Sequence, residues 1–573
     1  MWHWLVCHTE PLSRQFAVYS RYLQPPCPCQ KAPMLAPLVH LLLVLGGITL
    51  VLLTHDYILR AVSLDYLLLA LACLASVVLL VFVYSVVVDR LWPVYKLMKM
   101  YDSIQPRAPS PESTTSDPSP CVLFRHLPFL APHVAWTPLG VFPTPIHLAT
   151  VPDVQGPGTD TCFYLKREDL SSPYYGGNKV RTLEHQLAAC ALHQAEHPDA
   201  VVYSTGMAGS NQNVAAVVHG RERLGLRVEP CLVEPELPDL DNTLNLLSLL
   251  SFKCAVHLWP NGDAMDKRLT QAMVGKTNDQ VMAFGGNNLL GVLGQMGGLL
   301  ELAEQIQRRD VPDVDVLYVA VGSSCTLTGH VLGVCLARHL GLQAFKSPSF
   351  RIVAVPILPH LAEEHKTSGF YTSFWSQYHP FYPRFGFCKV ASFLQSRGLD
   401  VDLEPLATVF LKTYVEFVTD DAMVGPCGTH SAASLAAAGF DGTMKIDGSL
   451  PTWMPTRSPD ETRNVDALKP WLCGHFTAKV LAKLLDDVRR EDGKSTKVVR
   501  LLWQTKSWIQ PRGPEDEWAK LQHVTDKHSD VANWVNQGLA HSKLRPAYVH
   551  VPDGKPEWYR SVMTRIDPIV KSK

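Results

Sequence analysis

Two stretches near the start of the chain carry no formal charge: residues 35–54 (LAPLVHLLLVLGGITLVLLT) and 66–88 (YLLLALACLASVVLLVFVYSVVV). At 1.5 Å per residue each is long enough, as a helix, to cross a hydrocarbon core of about 30 Å. A helix of a globular domain seldom stays apolar on every side for so long. The pattern predicts a transmembrane helical hairpin over residues 34–90, its two spans in the lipid bilayer and joined by HDYILRAVSLD. Arg14, Arg21 and Lys31 precede the first span, Arg90, Lys96, Lys99 and Arg107 follow the second, and the connection holds only Arg60. That asymmetry predicts a two-span, multi-pass membrane protein with both ends on the cytoplasmic side. Residues 1–33 read either as a plain N-terminal segment or as an organellar presequence. A cleaved secretory signal fits poorly, because the apolar run starts late and is too long.

Residues 91–120 follow as a juxtamembrane segment and a linker. Its last part, RAPSPESTTSDPSP, offers little to bury and reads as a disordered tether or a phosphorylated regulatory segment. From about residue 121 short β-branched runs alternate with helical periodicity. Residues 200–204 (AVVYS) form one predicted strand, opening through glycine and serine into a helix from about Asn211. Residues 315–321 (DVLYVAV) form another, followed by GSSCT and the helical pattern TLTGHVLGVCLARHL. Valine-rich runs that each open through glycine into a helix imply a parallel sheet covered on both faces. Ligands of such sheets bind beyond the carboxyl ends of the strands. This α/β region is expected over 121–510, with an aromatic-rich insertion at about 359–400 and a C-terminal appendage at 511–573.

Composition narrows the possibilities. A chain of 573 residues exceeds the roughly 250–300 residues at which a single core stops growing, so two lobes are expected. With 52 basic and 53 acidic residues the formal charge is −1, which argues against a nucleic-acid partner. The fourteen cysteines are scattered and only Cys27 and Cys29 lie close together, so neither a disulfide framework nor a zinc site is legible and no metal is expected.

Chemistry enters at YYGGNK, residues 174–179. Asn178 suits an N-cap, and Val180, Leu183, Leu187 and Ala191 recur at helical spacing, so Lys179 falls in the first turn of a helix entered through Gly176 and Gly177. The positive end of the helix dipole together with burial favours the neutral amine, the form that attacks a carbonyl. A lone lysine is otherwise an ordinary solvated charge. Ser210, Asn211 and Gln212 lie where a strand feeds a helix, and Gly322–Thr326 offers a tight turn with hydroxyl and thiol side chains at another helix start. GxGxxG with a spaced acidic residue and GxxxxGK[ST] are both missing, so the nucleotide readings lose support.

Six ordered stretches carry a resemblance: FPTPIHL (142–148), YLKREDL (164–170), GGNKVRTLE (176–184), GSNQNVAA (209–216), NTLNLLSLL (242–250) and AVGSSCTLTG (320–329). Residues 135–345 resemble the fold-type II pyridoxal-phosphate enzymes (tryptophan synthase beta-like), within them the 1-aminocyclopropane-1-carboxylate deaminase and D-cysteine desulfhydrase family. The resemblance implies pyridoxal 5'-phosphate as cofactor, two lobes of parallel sheet, a small amino-acid substrate and a possible homodimer. It makes Lys179 the lysine that bonds to the cofactor and, with Ser210, the catalytic pair. It assigns Asn211 to the cofactor's ring hydroxyl and places Ser210, Asn211 and Gln212 at the substrate carboxylate. Gly322, Ser323, Ser324, Cys325 and Thr326 match the phosphate loop. In KVVRLLWQTKS (497–507) Thr505 stands where many relatives set a threonine against the pyridine nitrogen.

The chain also departs from that pattern. A Tyr-Thr-Gly-Lys stretch of the family has as its nearest counterpart GPCGTHSAAS (425–434), with Pro426 and Cys427 near the tyrosine and threonine positions. Cys427 or His430 then either takes over proton transfer or is structural. The family's Thr-Gly-Gly reads Thr505, Lys506, Ser507 here. The expected activity is a membrane-anchored lyase or deaminase that gives a 2-oxo acid and ammonia, with sulfide from D-cysteine. A serine or threonine dehydratase or racemase, and a cofactor-binding but silent membrane protein, are the alternatives.

Overall fold

The computed structural model describes residues 72–79, 99–109, 119–233, 240–252, 254–275, 278–357, 383–425, 431–449, 451, 453, 470–491, 498–507 and 510–511. The chain divides into two compact units, Met1–Met100 with Asn261–Thr270, and Tyr101–Pro260 with Gln271–Lys573.

The transmembrane hairpin and the multi-pass membrane location expected from the sequence are corrected here. No helix among the described residues is long and apolar enough to cross a membrane. Residues 35–54 lie outside the described residues, and of 66–88 only 72–79 is described, as a helix.

The second unit holds the strands β1 (Ile146–Val151), β2 (Thr161–Arg167), β3 (Val202–Met207), β4 (Val228–Val233), β5 (His257–Trp259), β6 (Gln280–Met282), β7 (Val316–Val321), β8 (Arg351–Pro356), β9 (Val415–Phe417), β10 (Lys445–Asp447) and β11 (Arg500–Gln504). They form a four-stranded sheet in the order β5-β4-β3-β6 and a seven-stranded sheet in the order β10-β1-β2-β11-β7-β8-β9. The smaller sheet is wholly parallel. The larger is parallel from β2 to β9, while β1 runs antiparallel to β2 and β10. The expectation of parallel sheets therefore holds for the centre of both lobes and misses the antiparallel edge.

Alternation along the larger sheet explains its two covered faces. Leu317, Val319 and Val321 of β7 enter one hydrophobic cluster with Ile352, Leu501 and Trp503. Val316, Tyr318 and Ala320 enter the other with Val353 and Leu502. Successive side chains point to opposite sides of a strand, so a run apolar at every position must be buried twice. Residues of the helices α1 (Lys179–Glu196), α2 (Asn211–Ala215), α3 (Leu240–Leu250), α4 (Leu289–Gln307), α5 (Cys325–His339), α6 (Pro383–Ser396) and α7 (Leu403–Tyr414) join that first cluster, which also takes in Val202 and Val228 of the smaller sheet. Helix α8 (Thr477–Arg490) packs on the second. Within the insertion expected at 359–400, α6 is thus part of the core, and residues 358–382 lie outside the described residues.

A buried charge network fixes how α1 and α4 sit on β2. Lys166 of β2 donates to Glu301 of α4 at 2.6 Å, and Arg181 of α1 donates to Glu301 at 2.8 Å and to Glu168 at 2.6 Å. Burial pushes the Glu301 carboxyl up, but Arg181 and Lys166 outweigh it and hold it down at about 2. Arg181 is two residues from Lys179, so this network also anchors the first turn of α1.

Candidate active site

Lys179 is the first residue of α1, reached through a turn that only glycine tolerates. Gly177 has φ +98°, and a Cβ there would stand 2.5 Å from the carbonyl oxygen of Thr505. The Asn178 amide donates to that same oxygen at 3.3 Å. Asn178 occupies the N-cap position but does not cap with its side chain, whose Nδ2 donates to Thr326 Oγ1 at 2.8 Å. Tying the start of α1 to the start of α5 replaces the local bond expected from the sequence.

The ammonium end of Lys179 donates to the carbonyl oxygen of Gly285 at 2.9 Å. Gly285 has φ +62°, and a Cβ there would meet Ser323 Oγ at 2.2 Å and Lys179 Nζ at 3.3 Å. The lysine, the 284–286 turn and Ser323 therefore converge within van der Waals range. Burial lowers the Lys179 pKa from the ordinary lysine value, with Cys325 opposing weakly. Burial also pushes the Cys325 thiol up to about 11, so it is a neutral neighbour of the amine. The free-base preference expected for Lys179 thus has desolvation as its leading cause.

The 322–326 turn leads from β7 into α5. Ser324 adopts a left-handed φ of +64° and supplies no side-chain cap. An L-residue in that region costs about 1–2 kcal/mol, which the surrounding bonds offset: the Ser323 carbonyl accepts from Asn287 Nδ2 at 2.5 Å, and Thr326 from Asn178. Cys325 Sγ faces the Gly286 carbonyl at 3.7 Å. Gly322 packs toward Ile357 and Phe476.

Asn211 opens α2 with Ser210 as its extended N-cap residue. The Asn211 Oδ1 accepts from Tyr175 Oη at 2.9 Å, from Asn245 Nδ2 at 2.8 Å and from Lys506 Nζ at 3.3 Å. Gln212 is buried beside Gly286, where a Cβ would come within 3.1 Å of its Nε2. Helix α2 passes directly into a π-helical stretch, Ala216–Arg223, an irregularity often found beside functional sites.

The structure therefore brings Lys179, Gln212, Ser323 and Cys325 around the 284–286 turn, sets Thr505 against Gly177, and reaches Asn211 through Lys506. Cys427 and His430 lie outside the described residues. Sequence reasoning missed the Gly285–Gly286 turn, Tyr175, Asn245 and the role of Lys506. The first was findable: QVM at 280–282 opens through glycines into α4, the same strand-glycine-helix pattern used for β3 and β7.

Residues 137–373 match the model of the family described as pyridoxal-phosphate dependent enzyme. Those residues are similar to that family and make up less than half of the chain. The match includes Lys179, the 210–212 stretch and the 322–326 turn and ends before Thr505. The chain is 27% identical over 265 residues to the bifunctional D-cysteine desulfhydrase/1-aminocyclopropane-1-carboxylate deaminase, mitochondrial, of Arabidopsis thaliana, covering 43% of this chain and 63% of the relative. It is 32% identical over 181 residues to nocardicin C-9' epimerase of Nocardia uniformis subsp. tsuyamanensis, covering 30% of this chain and 53% of the relative. The chain thus spans between half and two thirds of these relatives. Among solved structures, an ACC deaminase homologue aligns with a TM-score of 0.42 at 18% identity, covering 71% of this chain and 99% of that one. The resemblance drawn from the six motifs holds, and its cofactor is the one for which the family is named.

Pyridoxal phosphate presents a carbonyl carbon, a ring hydroxyl, a ring nitrogen and a phosphate. The residues fit it. Lys179 offers an amine whose pKa burial lowers from the ordinary lysine value. Thr505 Oγ1 and Gln212 Oε1 are buried without a hydrogen-bond partner, a cost of about 1–3 kcal/mol each unless a ligand atom completes them. Ser323, Ser324 and Thr326 gather at the start of the fifteen-residue α5, a position that favours an anion.

Proposed function

We propose that this chain is a pyridoxal-phosphate-dependent lyase or deaminase acting on a small amino acid of the D-cysteine or 1-aminocyclopropane-1-carboxylate type. The observation that carries the reading is Lys179: a desolvated amine at the start of α1, held by the Gly285 carbonyl within reach of Ser323 and Cys325. Support also comes from the desulfhydrase/deaminase named among the relatives.

Lys179 would hold the cofactor carbonyl carbon, Asn211 its ring hydroxyl, Thr505 its ring nitrogen, and the 322–326 turn its phosphate. When bound, the cofactor draws electron density from the substrate α-carbon and makes its proton acidic. The Lys179 amine then takes and returns that proton, because burial leaves it neutral at lower pH than an ordinary lysine. Ser210 and Gln212 orient the substrate carboxylate through hydroxyl and amide groups. With D-cysteine, loss of the α-proton and of the thiol as sulfide, with addition of water, yields pyruvate and ammonia; 1-aminocyclopropane-1-carboxylate has no α-proton, so its route to a 2-oxo acid and ammonia is opening of the ring with proton transfer to a ring carbon and addition of water. Two subunits pairing as a homodimer belongs to the same reading.

The test is Lys179→Ala in the full chain. The parent protein is expected to retain cofactor covalently after borohydride reduction and to release pyruvate from D-cysteine, and the variant to do neither. Covalent retention in the variant would sink the assignment. The epimerase among the relatives favours one second reading, a racemase or epimerase. Chiral analysis of recovered D-cysteine and D-serine separates the two, since inversion without 2-oxo acid supports only the second.

A further inference from the structure

Lys506 stands where the resembling family has glycine, and its side chain is buried within the second unit. Its ammonium donates to Asn245 Oδ1 at 2.6 Å, to Gln510 Oε1 at 3.1 Å and to Asn211 Oδ1 at 3.3 Å, and lies 4.4 Å from the centre of the Trp471 ring. Three amide oxygens thus turn toward one cation. The consequence at Asn211 is directional. With Tyr175 Oη and Asn245 Nδ2 also donating to it, Asn211 Oδ1 meets three donors at once. Rotating that amide by half a turn would press its NH₂ against an ammonium, a hydroxyl proton and another NH₂, so the assignment of oxygen and nitrogen is fixed by the network. The NH₂ group then points away from Lys506. A cation on the oxygen side of an amide also polarises it and strengthens its N–H groups as donors.

We propose that Lys506, together with Tyr175, is a positioning residue that locks Asn211 with its Nδ2 presented as a hydrogen-bond donor to an oxygen of the bound cofactor, its ring hydroxyl. The inference rests on the cofactor reading above and adds to it the residues that orient the donor. It also gives the glycine-to-lysine departure at 506 a role: the charge enters beside the site just after β11 and acts through Asn211 without touching the ligand.

The test uses two probes with the full-length protein stripped of cofactor: pyridoxal phosphate and its 3-deoxy analogue, which lacks the ring hydroxyl. Dissociation constants are measured by equilibrium dialysis for the parent, Lys506→Met, Tyr175→Phe and Asn211→Ala. Removing the positioning groups is expected to weaken pyridoxal phosphate about tenfold in Lys506→Met, the size of one good hydrogen bond, and less in Tyr175→Phe. The 3-deoxy analogue is expected to bind all four proteins alike. Lys506→Met combined with Asn211→Ala is expected to lose no more than Asn211→Ala alone. Equal weakening of both probes would show a merely structural role and overturn the proposal, as would unchanged affinity for pyridoxal phosphate. Tyr175→Phe removes a single oxygen and carries the test should Lys506→Met fail to fold. A parent protein that binds neither probe would overturn the cofactor reading itself, and this inference with it.

Discussion

Gly177 shows how narrowly one residue can be constrained. Its φ of +98° and the 2.5 Å approach that a Cβ would make to the Thr505 carbonyl oppose any side chain there. Gly177→Ala is expected to cost more than the ~1–2 kcal/mol of the left-handed backbone alone, because β11 must also shift. Thermal melting of the variant checks the loss, and weaker pyridoxal phosphate binding should accompany it, since Lys179 starts the next turn. At this scale much was legible. Lys179, Asn211 and the 322–326 turn stood out because their residue types sit at strand-to-helix junctions. Gly285, Tyr175 and Asn245 did not, because each acts through a partner far along the chain: Lys179 for the first and Asn211 for the others. Lys506 was visible only as a departure from a motif.

Between elements, the decisive contacts are the buried ions that join β2, α1 and α4. Glu301 accepts from both Lys166 and Arg181, so its removal leaves buried Lys166 with only the neutral Thr144 and Gln305 oxygens as acceptors and Arg181 with Glu168 as its remaining carboxylate. Glu301→Ala is expected to destabilise by about 3–5 kcal/mol, read as a lower denaturant midpoint, while Glu301→Gln keeps one acceptor and should lose less. The ordinary cavity cost of deleting a small side chain would be smaller, so a shift under about 1 kcal/mol would contradict the network's role. Elements themselves were well announced. The run at 315–321 becomes Val316–Val321, and that at 200–204 becomes Val202–Met207, the ends moving where a strand meets its glycine turn. Strand direction was not announced: β1 and β2 pair antiparallel, and a hydrophobic period of two is the same in either direction.

The whole molecule carries several buried imidazoles, and they set its behaviour in acid. Burial lowers His185 and His219 to about 4, and His147 and His330 to about 3. A folded pKa below the unfolded value means that the unfolded chain binds more protons between them, so stability falls as pH drops from about 6.5 toward 4. Each group contributes up to about 1.4 kcal/mol per pH unit in that window. Glu184 opposes this, since burial raises it to about 7 and its stabilisation is lost as pH rises through 7. Burial also raises the Asp169 and Asp263 carboxyls, so four imidazoles stand against three carboxyls; the imidazoles, whose ordinary value lies inside the range, predict a lower denaturant midpoint at pH 5 than at pH 7.5, and an equal or higher one would contradict the account. The sequence alone determined the α/β class and the resemblance to the pyridoxal-phosphate enzymes, because these follow from local residue types at short spacings. Only the tertiary structure decided that β11, more than three hundred residues after β2, inserts between β2 and β7. That insertion brings Thr505 against Gly177 and Lys506 against Asn211, and no local pattern encodes it, since pairing between distant strands depends on how the whole core closes.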